Sequence, residues 1–230
     1  MQHWSTRQAR TEERVLQLFR LLNDVLDRRK ETRKRGLTFN TPSMVPLSPH
    51  VRIIQDEPSF TSLEDIYEDH CSRTGMSPDE PIIYFQNRLR QFPQRQNKLD
   101  MMAHRLEVFQ EVLQSKVPSD ILSKFMTRTY VSFTDLWMCR KQFTLQYAAA
   151  SLMTFSFFIG QRMAHKINIA LNTGSVLAGE LQPSFTLRCE LDNNEAVSMR
   201  LTPNIQVSKR KKNSWKMGIV FLKNIYFFKS

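Results

Sequence analysis

Residues 160–185 read GQRMAHKINIALNTGSVLAGELQPSF. Two aliphatic, β-branched runs, INIAL (167–171) and SVLAG (175–179), flank Asn172-Thr173-Gly174. Asn and Gly accept turn conformations that other residues resist, so the pattern predicts strand, tight turn, strand. A polar loop precedes it, carrying His165 and Asn168, and one acid, Glu180, follows it. Polar side chains thus stand at both ends of a short hairpin. Yet Met163, two residues before His165, is apolar. A thioether can neither accept a proton from a hydroxyl nor orient that hydroxyl as a carboxylate does.

Outward from this stretch, 230 residues with 41% hydrophobic content suffice for one domain with a real core, or a large piece of one. Sixteen Phe and eleven Met fit a packed interior rather than a disordered chain. The net charge of +11 is uneven: residues 207–230 hold six Lys, one Arg and no acid, leaving +4 for the other 206. The globular part is therefore only mildly basic, and direct nucleic-acid contact is not expected. The run RRKETRKR (28–35) is interrupted by Glu31 and sits at a helix end, where cations are favoured anyway. Cys71, Cys139 and Cys189 have neither zinc nor disulfide spacing, which fits a reducing compartment. The N-terminal MQHWSTRQARTEERV lacks the apolar core of a signal peptide. The apolar run 145–159 contains Gln146, Ser151, Thr154 and Ser156, and reads as a buried core helix rather than a membrane span.

Helical periodicity is clear over 12–29, where Val15, Leu18, Phe19, Leu22, Val25 and Leu26 share a face that Gly36 can close off. LTFNT (37–41) and VRIIQD (51–56) read as short strands, joined by a linker containing Pro46 and Pro49. Ser62 and Asp65 form a capping box before a helix ending by Gly75. Ser77, Pro78 and Glu80 repeat that logic for a helix carrying Ile82, Phe85 and Leu89, stopped by Phe92-Pro93. After a loop over 90–98, Leu99, Met102, Ala103, Leu106, Phe109 and Leu113 predict an amphipathic helix. Pro118 opens a short helix through Ile121, Leu122 and Phe125, and Ser132–Asp135 caps a long one holding Trp137, Phe143 and Tyr147. Trp137, Phe143, Tyr147, Phe155 and Phe158 are expected in the core. The order of elements implies an α+β, mostly helical chain.

These motifs resemble a degenerate kinase. A protein kinase reads H-R-D-x-x-x-x-N and then D-F-G. The lipid-kinase-like pattern is roughly G-x-x-D-R-H-x-x-N, then a T-G turn and H-I-D-F-G. His165 and Asn168 keep the H-x-x-N and Thr173-Gly174 keep the turn. Met163 stands at the catalytic Asp position, Ala164 at the Arg, and Ala178–Gln182 replace H-I-D-F-G. The blocks EERVLQLFRLLN (12–23), RRKETRKRGLTFNTP (28–42), VPLSPHVRIIQDEPS (45–59), SLEDIYEDHCSRTGMSPDEPI (62–82) and RLTPNIQ (200–206) are similar to the phosphatidylinositol-3-kinase-related family. The resemblance spans roughly 8–206 and implies a partial bilobal PI3/PI4-kinase-like fold, without the first small-lobe strands or the end of the large lobe. Residues 1–98 would hold the partial small lobe and helical linker, and 99–206 the partial large lobe with degenerate loops. Residues 207–230 would be an atypical tail, foreign to the fold. Glu12 would occupy the acidic position of the lobe-bridging helix, the usual partner of a strand Lys.

In the non-catalytic branch of that family, the domain is a pseudokinase on a very large helical-repeat scaffold. Such scaffolds belong to SAGA-type and nucleosomal histone H4 acetyltransferase complexes and receive transcriptional activators. The resemblance therefore implies no enzyme activity, no cofactor, no bound metal and no membrane. It implies a nuclear location, protein partners in chromatin-modifying complexes, and work in transcription regulation and DNA repair. No residue is expected to be catalytic: Met163, His165, Asn168 and Glu180 are degenerate positions. Asn168 is read as a loop-capping amide rather than a metal ligand, Glu180 as a solvated turn acid, and His165 as a packed histidine. KRKK (209–212) has the composition of a nuclear-import or phosphate-binding run, or of a solubilising tail. Two alternatives stay open: a weakly active kinase of the same superfamily, and a basic helical interaction module without kinase ancestry.

Overall fold

The computed structural model describes residues 9–91, 98–159, 163–179, 181–183, 197 and 199–208. Helix α1 (Ala9–Arg28) opens the fold, with Glu12 in its first turn and Arg28 in its last, each suited to the helix dipole there. Val15, Leu16 and Phe19 are buried, while Leu22 and Leu26 are partly buried against the same cluster. Val25, expected on the apolar stripe, is exposed, and the fully buried Leu16 takes its place in the core. A short helix, α2 (Lys30–Arg33), follows. Gly36 reverses the chain at φ 63, a conformation a side chain would resist.

The strand expected at 37–41 does not form. Leu37 and Phe39 are buried, and Phe39 stacks on Phe19 with ring centroids 5.2 Å apart. The backbone of Phe39 is instead satisfied by one side chain: its N–H donates to Asn23 Oδ1 at 2.7 Å, and its carbonyl accepts from Asn23 Nδ2 at 3.0 Å. An amide has the donor and acceptor of a peptide unit, so Asn23 serves where a neighbouring strand would. The first strand, β1 (Met44–Pro46), falls inside the segment read as a linker. It pairs antiparallel with β2 (Arg52–Ile54), Met44 opposite Ile54 and Pro46 opposite Arg52. Glu12, 1% exposed, forms an ion pair with Arg52, which ties α1 to this hairpin.

Strand β3 (Phe60–Ser62) leads into α3 (Leu63–Thr74). The capping box is present as read: Asp65 N–H donates to Ser62 Oγ at 3.0 Å and Ser62 N–H to Asp65 Oδ2 at 2.9 Å. Gly75, at φ 70, closes the helix. The next helix, α4 (Glu80–Arg90), starts later than expected: Asp79 precedes it, Pro81 lies in its first turn, and no side chain caps it. Ile82 is exposed rather than packed, and Phe92-Pro93 lie outside the described residues.

Helix α5 (Lys98–Ser115) forms where periodicity placed it, but its apolar stripe faces the wrong way. Leu99, Met102, Leu106 and Phe109 are exposed, and Val108 and Val112 are the buried residues. Polar contacts between α4 and α5 select that face. Tyr84 Oη donates to Glu111 at 2.6 Å, and Lys116 Nζ to Glu80 at 2.8 Å. Helix α6 (Ile121–Thr129) buries Ile121, Leu122 and Met126.

The centre of the molecule is α7 (Phe133–Ser156), which runs unbroken for 24 residues. Ser132 caps it by accepting from Thr134 N–H at 3.2 Å, one residue short of a full capping box. The C-terminal half of α7 (Leu145, Ala149, Leu152) packs with α1, Leu37, Phe39, Met44, Ile159 and Leu181. Leu136, Cys139 and Phe143 of the N-terminal half, with Tyr147 one turn further on, pack with Ile66, α6, Ile169, Val176 and Ile205. Phe143 and Tyr147 are buried as expected, whereas Trp137 is 50% exposed, its ring lying 5.2 Å from Lys141 Nζ. Trp137 occupies the solvent side of the first turns, where its indole covers a Lys instead of filling the core. Phe155 and Phe158 are half-buried. Phe158 has φ 55, and the Ile159 N–H reaches back to the Thr154 carbonyl at 2.9 Å. This is a Schellman-type stop with Phe where Gly is usual.

Strands β4 (Ile167–Ala170) and β5 (Val176–Ala178) form the expected hairpin, and β3 adds to it in the order β3-β4-β5. The last described helix, α8 (Pro203–Ser208), inserts Ile205 beside Ile121, Leu122 and Met126. Asn204 fastens it to the start of α6, donating to the Pro118 carbonyl at 2.9 Å and accepting from the Leu122 N–H at 3.3 Å. Residues 209–230, including KRKK, and Cys189 lie outside the described residues. No described helix is long and apolar enough to cross a membrane.

Two outcomes follow. Phe143→Ala should lower unfolding stability by about 3–5 kcal/mol, whereas Trp137→Ala should cost under about 1.5 kcal/mol; denaturant titration of both variants checks this contrast. Arg52→Leu should cost about 3–5 kcal/mol by leaving a buried carboxylate unpaired, and adding Glu12→Leu should recover most of the loss. A double-mutant cycle by thermal unfolding reads that coupling.

Candidate functional site

The site-bearing hairpin is held on α7 by one buried amide. Gln146, on the core helix, accepts from the Val176 N–H at 2.9 Å and so satisfies the edge of β5. The turn is pressed against the same helix. Gly174 has φ 72, and a Cβ there would lie 2.5 Å from the Cys139 carbonyl oxygen. Only glycine meets both demands, the left-handed backbone and the close approach. Tyr130 Oη donates to the Leu171 carbonyl from the other side. Burial pushes the Cys139 thiol up, so this cysteine packs under the turn as an inert group rather than a nucleophile.

At the open end of the hairpin, Met163 leads into a single 3-10 turn, Ala164–Lys166. The Lys166 N–H donates to the Met163 carbonyl at 3.0 Å, and the Gly179 N–H to the Lys166 carbonyl at 2.6 Å. The second bond draws the end of β5 against the start of β4. The Met163 side chain is 49% exposed on the solvent side of this loop. His165 Nδ1 lies 3.5 Å from Glu64 Oε2 in the first turn of α3, both side chains about half exposed. This places His165 on the surface beside a carboxylate, not packed in the interior as expected. An exposed pair of this kind contributes little to stability.

Asn168 is half-buried on β4, opposite Ser62 on one side and Leu177 on the other. A Cβ at Gly179 would stand 3.3 Å from the Asn168 side-chain nitrogen, so that amide lies along the backbone where β5 ends. The structure therefore gathers Asn168, Lys166 and Gly179 at one corner and His165 with Glu64 at another, and Met163 leads into the turn that carries both His165 and Lys166. Glu180 lies outside the described residues. Magnesium takes six oxygen ligands in near-octahedral geometry. Among the described residues no group of three or more His, Cys, Asp or Glu side chains is placed to hold a metal.

Glu64 escaped sequence reasoning. It lies about a hundred residues from His165, and only the β3–β4 pairing, Ser62 opposite Asn168, makes them neighbours. Gln146 was visible as a polar residue in an apolar run, but its partner was not.

A family model described as phosphatidylinositol 3- and 4-kinase matches residues 4–218. The SAGA complex/NuA4 acetyltransferase complex subunit TRA1 of Saccharomyces cerevisiae is 35% identical over 227 residues, covering 90% of this chain and 6% of the yeast protein. The human transformation/transcription domain-associated protein is 36% identical over 199 residues, covering 86% of this chain and 5% of its own length. The serine/threonine-protein kinase MEC1 of Candida albicans is 26% identical over 199 residues, covering 86% of this chain and 8% of that kinase. Among solved structures, the FAT and kinase domain of CtTel1 superposes with a TM-score of 0.68 at 19% identity, covering 89% of this chain and 14% of that one. The chain thus spans a small fraction of the curated relatives it matches. A module without kinase ancestry is ruled out: the chain belongs to the phosphatidylinositol 3- and 4-kinase family, and its sequence is more similar to the TRA1-type proteins than to the MEC1-type kinase.

Proposed function

We propose that this chain is a pseudokinase module, a kinase-type fold that transfers no phosphate and serves as a structural part of a nuclear chromatin-acetyltransferase assembly. The observation that carries the reading is Met163, an exposed thioether at the loop position where the family resemblance expects a carboxylate. Phosphoryl transfer needs a group that orients the attacking hydroxyl and metal ions that neutralise charge on the phosphates. Met163 offers neither, and His165 is turned toward Glu64. Glu12 supports the same reading from the other side of the molecule. Its carboxylate is committed to Arg52, inside a buried pair, rather than held open for a phosphate-binding lysine. The greater similarity to TRA1-type subunits than to the MEC1 kinase points the same way.

The partners proposed are protein subunits of SAGA- and NuA4-type complexes, named on the yeast relative, with activators reached through the longer polypeptide. Residues 1–98 and 99–206 act together as one scaffold piece, and Met163, His165, Asn168 and Glu180 are vestigial positions.

Purified protein incubated with radiolabelled ATP and lipid or protein acceptors should give no phosphoryl transfer above background, and calorimetry with magnesium-ATP should give no micromolar binding. Turnover that persists through purification and disappears on Asn168→Ala would establish the weakly active kinase instead. Affinity purification of the endogenous product should recover acetyltransferase subunits.

A further inference from the structure

Four hydroxyl residues of this chain stand directly before a proline: Thr41, Ser48, Ser77 and Thr202. One class of protein kinase selects that dipeptide, because proline brings no N–H to be left unpaired in the cleft and its ring suits an apolar pocket. Sequence reasoning assigns Ser77 to the start of a helix, as a cap. The structure releases it from that task. Helix α4 begins at Glu80, preceded by Asp79, with no side-chain cap. Ser77 is exposed, and its hydroxyl makes no hydrogen bond among the described residues.

The fold separates the four candidates. Thr41 and Ser48 are half-buried, and Ser48 Oγ accepts from the Val51 N–H at 3.1 Å within the tip of the β1–β2 hairpin. Thr202 is exposed, but α8 starts at the next residue and carries Ile205, which is 3% exposed. Drawing Thr202 into a kinase cleft would pull Ile205 from the core. Ser77 lies in the short non-helical link between Gly75, where α3 stops, and Glu80. Two bonds hold that link: the Glu80 N–H donates to the Ser77 carbonyl at 3.1 Å, and Tyr67 Oη to the Pro78 carbonyl at 3.3 Å. A surface segment tied so lightly opens at little cost. Glu80, three residues after Ser77, would also suit a kinase with a basic pocket, but its carboxylate is engaged by Lys116 Nζ at 2.8 Å. Pro78 is the recognition element left open.

We propose that Ser77 is a phosphorylation site for a proline-directed protein kinase. Ser77 Oγ attacks the γ-phosphorus of ATP. The new P–O bond forms as the bond to the ADP leaving oxygen breaks, and the hydroxyl proton passes to the catalytic carboxylate of the modifying kinase. The product adds about −1.5 to −2 charges to the link between α3 and α4.

The test incubates the full, folded chain with γ-labelled ATP and a mitogen-activated protein kinase, and locates the label by peptide mass spectrometry. Label should fall on Ser77. Ser77→Ala should remove it, Pro78→Ala should cut the rate about tenfold or more, and Glu80→Gln should leave it unchanged. Near-unchanged melting temperatures in the three variants show that the fold is kept. The heat-unfolded chain should be labelled at Thr41, Ser48 and Thr202 as well, because only folding protects them. The Ser77 phosphopeptide should also be recovered from the endogenous polypeptide. Label on the folded chain at Thr41, Ser48 or Thr202 in preference to Ser77 would overturn the proposal. So would labelling that survives Pro78→Ala or is lost in Glu80→Gln, no label at all, or absence of the phosphopeptide from the endogenous product.

Discussion

Everything described here leans on α7. A helix of 24 residues with buried positions around most of its circumference cannot be stable alone in water. It must be covered on several sides at once, and the chain supplies the covers from both directions. Residues before it, from α1 through Met44, take the C-terminal half. Residues from α3, α6, the hairpin and α8 take the N-terminal half. The two apolar clusters share this one helix, so the burial of Phe143 and that of Leu152 are parts of the same constraint. A change in α7 reaches α1 and the β4–β5 hairpin together.

The apolar faces set proximity, while a few polar side chains set register. Gln146 fixes β5, Tyr147 Oη donates to the Arg200 carbonyl at 2.8 Å, and Asn23 satisfies the extended segment at Phe39. Each stands in for a backbone partner that would otherwise be missing. A buried peptide group without a partner costs more than a satisfied one contributes, so these side chains discriminate strongly against slipped alternatives. The hairpin that in a kinase would carry chemistry is held by this scheme with the same care as a working site. Its loop carries Met163 at the position where the family resemblance expects a carboxylate.

A buried ion pair adds specificity of a different sort. Glu12 and Arg52 join α1 to the β1–β2 hairpin beside the apolar contacts of Met44. Desolvation makes such a pair a poor source of net stability, but leaving either charge alone is severe. The pair therefore decides which strand meets α1 more than it strengthens the meeting.

Much of the fold was legible in the sequence because it depends on local chemistry. The Ser62–Asp65 capping box, the Gly75 stop, the 172–174 turn and the long apolar helix through Phe143 all follow from neighbouring residues. Met163, His165 and Asn168 were singled out through the family resemblance, which implies a degenerate loop. What failed were the readings that require knowing which face meets what. Periodicity showed that α5 has an apolar stripe but not that Val108 and Val112 beside it would be the residues buried. β propensity marked 37–41 as a strand, but Asn23, sixteen residues back, took the hydrogen bonds a strand would have used. Trp137 looked like core by residue type and lies half in solvent. The same limit hid Glu64 from His165 and Val176 from Gln146. A helix's period and a turn's glycine are properties of a few adjacent residues, whereas a partner across the fold is decided only when α7 gathers distant segments around itself.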